Sequence, residues 1–217
     1  MLSFLLLLAC VVSAAPAAAQ STNAAPVLVV TTTALDPATL PLTDDTDKKN
    51  VTDYLTGTKT ATGNSALVAA ANMTGVLYYF GTTANPSSTA DAARVGLELC
   101  EYLDRAPCFI LSINGNDARG PDGAWPAQPE MLVKTAGSRF DAWMMPFNSQ
   151  FNRAIGGWLA NAPTPEAVVV STAGGWSASS GKTILEAITS AYASCLKTYP
   201  NNLCLLYSVD GTVVMAQ

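Results

Sequence analysis

One ordered set of landmarks occurs twice in the chain, and any fold for it has to accommodate both copies. The first copy opens at Leu35-Asp36 and Pro41-Leu42; Phe140-Asp141 and Pro146-Phe147 follow 105 residues later with the same internal spacing. Each copy then runs through a helix-like segment, ending Tyr54-Leu55 in one and Trp158-Leu159 in the other. An apolar strand comes next, residues 65–70 or 166–171, and after it a segment bracketed by glycines, Gly75 to Gly81 or Gly175 to Gly181. A hydroxyl residue with an acid three positions on then appears, Ser88 with Asp91 and Thr183 with Glu186. That spacing predicts a capping box, in which the hydroxyl accepts a first-turn N–H and the acid sits at the positive end of the helix dipole. Both predicted helices reach a cysteine twelve residues after the cap, Cys100 and Cys195, and a strand opening on Cys108 or Cys204 follows.

Each copy therefore reads as strand, loop, helix, strand, strand, helix, strand. The helix after Thr183 lines up Ile184, Ile188, Ala191, Tyr192 and Cys195 on one face. Its counterpart presents Ala93, Gly96, Leu97 and Cys100, small enough to predict a helix lying close on a sheet. Asn114-Gly115 and Asp210-Gly211 are hairpin-turn dipeptides, with 212–215 as a returning strand. From Asn114 to Pro129 the composition turns to Asn, Gly, Asp and Pro, which marks a linker. The expected fold is α+β: two tandem repeats, each a small sheet with helices packed on one face, related by a pseudo-two-fold axis. The expected division is a signal peptide at 1–19, a first module at 20–113, a linker at 114–130 and a second module at 131–217.

The N-terminal reading rests on Leu2 to Val12, an apolar run of eleven residues. A membrane-spanning helix needs about twenty. The run fits the hydrophobic region of a secretory signal, with small residues at Ala17 and Ala19 for cleavage before Gln20, though no basic residue precedes it. A competing reading makes Cys10 a lipidation site, at the cost of a hydrophobic stretch of only eight residues. Export predicts a secreted or periplasmic protein with no membrane span once the signal is removed. Four cysteines then remain, with three possible pairings. The repetition argues for Cys100–Cys108 and Cys195–Cys204, since each copy brings its own pair. Seven or eight residues between partners is wide for paired zinc ligands, and no Cys-x-x-Cys is present for redox work.

The chain has no histidine, so Ser-His-Asp and Cys-His triads and His-ligated zinc are excluded. Eleven basic against sixteen acidic residues, with no basic run beyond Lys48-Lys49, argue against a nucleic-acid partner. Several motifs invite chemistry and are better read as structure. Residues 167–183 are laid out as strand, glycine loop, Gly-Lys-Thr and helix, like a phosphate-binding loop. However, five residues separate Gly175 from Gly181, and Trp176 stands where glycine is required. Ser179 to Lys182 matches Ser-x-x-Lys without its companion motifs, and Gly175-Trp-Ser-Ala-Ser breaks Gly-x-Ser-x-Gly. Asp91 and Glu186 could form a carboxylate pair for glycoside hydrolysis, yet helix-start acids account for both. Asp44, Asp45 and Asp47 lack the pattern of a calcium loop, and Asn114 to Asp117 suits an ordinary turn. No catalytic residue, metal or cofactor is assigned. Tyr78, Tyr79 and Phe80, with Trp125, Trp143, Trp158 and Trp176, could offer an aromatic platform to a glycan or protein, or fill a core. Asn50-Val-Thr52 and Asn72-Met-Thr74 are glycosylation sequons.

The half-pattern of an apolar strand, a Gly-bracketed segment, a capped helix ending in cysteine and Pro107-Cys108-Phe-Ile-Leu-Ser-Ile-Asn-Gly115 has a twin in Cys204-Leu-Leu-Tyr-Ser-Val-Asp-Gly211. It resembles a group of secreted bacterial tandem-repeat modules of unknown function, over residues 35–115 and 140–214. The chain departs from that group in its insertion near Ala84-Asn85-Pro86. The resemblance implies an architecture and no reaction. The expectation is an exported, non-catalytic binding or envelope-associated protein with an unknown protein or glycan ligand. The alternative is a hydrolase of cell-wall or extracellular polymer, with its site between the modules.

Overall fold

The computed structural model describes residues 25–71, 73, 75–81, 88–132, 136–140, 145–147, 155, 158 and 161–215. The predicted signal peptide and cleavage site, Cys10, Asn72, the Ala84-Asn85-Pro86 segment and Trp143 lie outside the described residues. The described chain holds three α-helices, α1 (Asp45–Gly57), α2 (Thr89–Asp104) and α3 (Ile184–Thr198). Eight strands accompany them: β1 (Ser65–Ala70), β2 (Leu77–Phe80), β3 (Cys108–Ile113), β4 (Asn116–Asp117), β5 (Glu166–Ser171), β6 (Gly175–Ser180), β7 (Cys204–Val209) and β8 (Thr212–Val213). They form two four-stranded antiparallel sheets with one order, β2-β1-β3-β4 and β6-β5-β7-β8. Among the described residues no helix is long and apolar enough to cross a membrane.

Corresponding contacts recur in the two sheet-plus-helix units. Ser88 Oγ accepts the Asp91 N–H and Thr183 Oγ accepts the Glu186 N–H, so both helices start on the hydroxyls the sequence marks. Asn114 and Gly115 both have positive φ, as do Asp210 and Gly211, the backbone that a two-residue hairpin turn requires. The side chain of the first turn residue reaches back to the central strand. Asn114 Oδ1 accepts from Ser65 N at 2.7 Å, and Asp210 Oδ1 accepts from Glu166 N at 2.9 Å. The central strands β1 and β5 each meet β3 or β7 through a bulge at one place, where Leu111 in one sheet and Tyr207 in the other fall between register partners. Disulfides join Cys100 to Cys108 and Cys195 to Cys204, tying the end of a helix to the strand beneath it.

Strand alternation assigns the layers. Ala66, Val68 and Ala70 of β1 pack with α2, while Leu67 and Ala69 pack with Val51 and Tyr54 of α1 on the opposite face. In β5, Ala167 and Val169 pack with Ala187, Ala191 and Cys195 of α3. Val168 and Val170 turn the other way, into the cluster that holds Met145, Phe147, Ile155 and α2. Helix α2 therefore lies between the two sheets, and three differences from expectation follow. The first sheet carries helices on both faces, not one. Unlike faces meet at the junction, the α2 side of the first unit against the side of the second that faces away from α3, whereas a two-fold axis would bring equivalent faces together. And nine residues of α2 are buried all round the helix, where the small-residue stripe predicted one buried face.

Two smaller corrections concern edges. No opening strand forms in residues 25–33: Ala34 makes a single bridge to Asn116, as Arg139 does to Thr212, because β4 and β8 are two residues long and offer no ladder. Residues 114–117, placed in the linker by composition, are the turn and edge strand of the first sheet.

The close approach of α2 to β1 is tested at Gly96. A Cβ there would lie 3.1 Å from Val68 Cγ1 and 3.7 Å from the Ala66 Cβ. Gly96→Leu should cost about 1–3 kcal/mol through overpacking, read from a denaturant unfolding curve. A cost below the error of the curve would mean that helix and sheet are not in register as described.

Candidate functional site

The sequence-predicted candidates do not converge. Asp91 is buried on α2, whereas Glu186 lies at the start of α3 on the outer side of the second sheet, where its carboxylate accepts the Lys182 N–H at 2.8 Å. The second sheet stands between the two acids. The residues that resembled a phosphate loop, Gly175 to Ser180, are strand β6, hydrogen-bonded along its length to β5, so no loop is left to cradle a phosphate. Ser179 Oγ donates to the Ser180 carbonyl, and Lys182 is exposed. Asp44 caps α1, accepting from the N–H groups of Thr46 and Asp47, which holds its carboxyl below the ordinary value of 3.8. Asp47 Oδ1 accepts from Val76 N, and Asn50 Nδ2 donates to the Val76 carbonyl, so that sequon's amide is engaged inside the fold. Trp125 stacks on Phe109, and the Arg119 guanidinium lies over the Trp125 ring, 5.0 Å from its centroid. No group of three or more metal-ligating side chains occurs among the described residues.

The polar groups that do converge sit on α2, where Asp91 meets Arg94, Glu98 and Glu101, three residues the sequence reading passed over. Arg94 lies between Asp91 and Glu98, bonded to Asp91 at 2.9 Å and to Glu98 at 2.5 Å. Burial alone would lower the Arg94 value, but Glu98 and Asp91 beside it raise it. The second oxygen of Glu98 accepts the N–H of Phe147 at 2.7 Å, and Phe147 holds a positive φ. One turn further on, Glu101 accepts the backbone N–H groups of Met131 and Leu132, the latter at 2.7 Å. Burial holds the Glu101 carboxyl above its ordinary 4.5, against the opposing pull of those N–H groups. Tyr79 packs under the same junction, its hydroxyl buried without a partner among the described residues. Burial pushes it up to about 12, with Asp91 adding to the rise. A Cβ on Gly174 would meet the Tyr79 ring at 2.7 Å, so glycine is required where the β5–β6 turn crosses it.

Where α2 ends, these contacts frame a cleft of about 560 Å³, within the size range of small-ligand sites. One wall is Glu101, Tyr102, Arg105, Ala106 and Pro107; the other is Gln128, Glu130 and Leu132 from the connecting segment. Glu101 fixes the second wall through the N–H groups of residues 131 and 132. Gln128 fixes it to the N-terminal segment, accepting from Val27 N and donating to the Val27 carbonyl. Arg105 caps the helix at φ 53 and places its guanidinium 5.6 Å from the Tyr102 ring centroid, while Phe147 meets the same ring edge-on. The spacing of Asp91, Arg94 and Glu98 along one helical face was a legible signal. Nothing in the sequence announces that Arg105 adopts a left-handed cap or that residues 128–132 return to it.

The end of α2 also carries a pH dependence. Burial, with Asp47 nearby, holds the Asp104 carboxyl above its ordinary value of 3.8. A folded value above the unfolded one means that the native state binds the extra proton, so stability is full below the unfolded value and falls as pH rises through the folded one. Asp104→Asn should flatten that decline above about pH 4, seen in denaturant midpoints measured across pH. A slope identical to that of the parent would show that Asp104 is solvated like any surface acid. No known protein family, curated protein or solved structure matches the chain.

Proposed function

We propose that this is an exported, non-catalytic binding protein, made of two copies of one module with an N-terminal signal peptide over residues 1–19. The two disulfides support the compartment, because such bonds persist outside the reducing cytoplasm. The matched caps, turns and bulges of the two units support duplication, as does the resemblance to secreted bacterial repeat modules. The observation that carries binding is the cleft at the end of α2, whose two walls are locked by side-chain bonds from Glu101 and Gln128. A pre-formed, partly apolar concavity with a few polar groups is what small-ligand recognition requires.

One observation favours the hydrolase alternative: Glu101 is shifted upward and Glu130 shares its cleft, two carboxylates of the kind that could divide acid and base work. Against it, the Glu101 oxygens already accept N–H groups of the opposite wall, which favours the charged form and commits the group to holding the cleft together. The mature chain, incubated with cell-wall polymer, extracellular polysaccharide and peptide mixtures, should bind at least one of them and release no product. Release of fragments by the parent chain, and its loss in Glu130→Gln at unchanged Tm, would overturn the binding reading in favour of the hydrolase.

A further inference from the structure

Three features of the cleft together define the chemistry of its ligand. The first is Arg105. Arg94 and Arg119 are committed to carboxylates, whereas the Arg105 guanidinium has, among the described residues, only the Tyr102 ring beneath it. Arg105 also holds a left-handed backbone at the helix C-cap, where glycine is usual and a long side chain is strained. Strain of that kind is commonly retained where the side chain is used. The guanidinium is thus a planar donor fork, pre-placed over a ring and open to an incoming carboxylate.

The second feature is the opposite charge in the same space. Glu101 and Glu130 line the cleft, and the carbonyl end of α2 adds partial negative charge. A purely anionic ligand is opposed by these groups and a purely cationic one by Arg105. The third is the apolar floor of Tyr102, Pro107 and Leu132. A sugar ring would ordinarily stack on the tyrosine, but here it would have to displace the guanidinium from the ring.

Resting on the binding reading above, we infer that the cleft takes a zwitterionic ligand, a short peptide with free termini: its carboxylate on Arg105, its ammonium on Glu130 and its side chains on Tyr102 and Leu132. Calorimetric titration of the mature chain with di- to tetrapeptides tests this directly, using each peptide with free, C-amidated and N-acetylated ends. Free peptides should bind, and either block should weaken binding at least tenfold. In Arg105→Gly the penalty for amidation should vanish while Tm stays level or rises, since glycine relieves the cap. In Glu130→Gln the penalty for acetylation should vanish. Blocked peptides binding as well as free ones, or penalties that survive both substitutions, would overturn the inference. Neutral oligosaccharides binding where peptides do not would overturn it and leave the binding reading standing. Silence from both classes would remove both.

Discussion

Arg94→Met should destabilise the protein by about 3–5 kcal/mol, because it removes the guanidinium that bridges two buried carboxylates, Asp91 and Glu98. Both carboxylates are only 6% exposed, so water cannot replace what the guanidinium supplied. The effect reaches beyond α2, since Glu98 also accepts the Phe147 N–H from the second unit. A protein whose total stability is about 5–15 kcal/mol would lose a large share of it. The triple variant Asp91→Asn, Arg94→Met, Glu98→Gln should recover most of the loss, since neutral amides at 91 and 98 no longer need the cation. Chemical denaturation of the three proteins decides it. A loss below about 1 kcal/mol for the single variant would mean that the triad behaves as a solvated surface network.

Removing the second disulfide, by Cys195→Ser with Cys204→Ser, should cost about 2.5 kcal/mol on loop-closure entropy, and the first pair about the same. The location of the damage should differ. Helix α3 fully buries only Ala187, Ala191 and Cys195 and rests on one sheet, whereas α2 is enclosed between two. Loss of the second bond should therefore let α3 open locally, with amide exchange across residues 184–198 rising well before global unfolding. Loss of the first should appear only as a lower global midpoint. If both variants exchange uniformly, the two helices are held alike and the layer order is wrong.

Local structure was legible in the residues. The caps at Ser88 and Thr183, the Asn-Gly and Asp-Gly turns, the central strands and the cysteine spacing each follow from chemistry within a few positions of the chain. What was not legible is what lies against what. Ala93, Gly96 and Cys100 announce a close helix–sheet contact, but nothing in the sequence says that Val95 and Leu99, elsewhere on α2, are buried as well. Gly175 to Ser180 is rich in glycine and serine, which favour turns, yet the repeat places a strand there, and pairing with a buried valine strand holds it in that form. The cleft was invisible for a further reason. It depends on residues 128–132 folding back over α2, through a carboxylate and an amide that bond to backbone groups, which have no sequence signature.

Stacking through unlike faces is an arrangement that further layers would continue, and the outward helix faces of this chain are unlike the buried one. Where α2 offers Arg94, Val95, Glu98 and Leu99 to the next unit, α3 has Thr189, Ser190, Ala193 and Ser194 at the corresponding places, all in contact with water. At the far end, α1 turns Lys48, Lys49, Thr52 and Thr56 outward. In stacked repeat proteins, polar outer faces of this kind close the ends. Grafting the four α2 residues onto α3 would convert an ending into an acceptor and open a route to longer assemblies of the same unit.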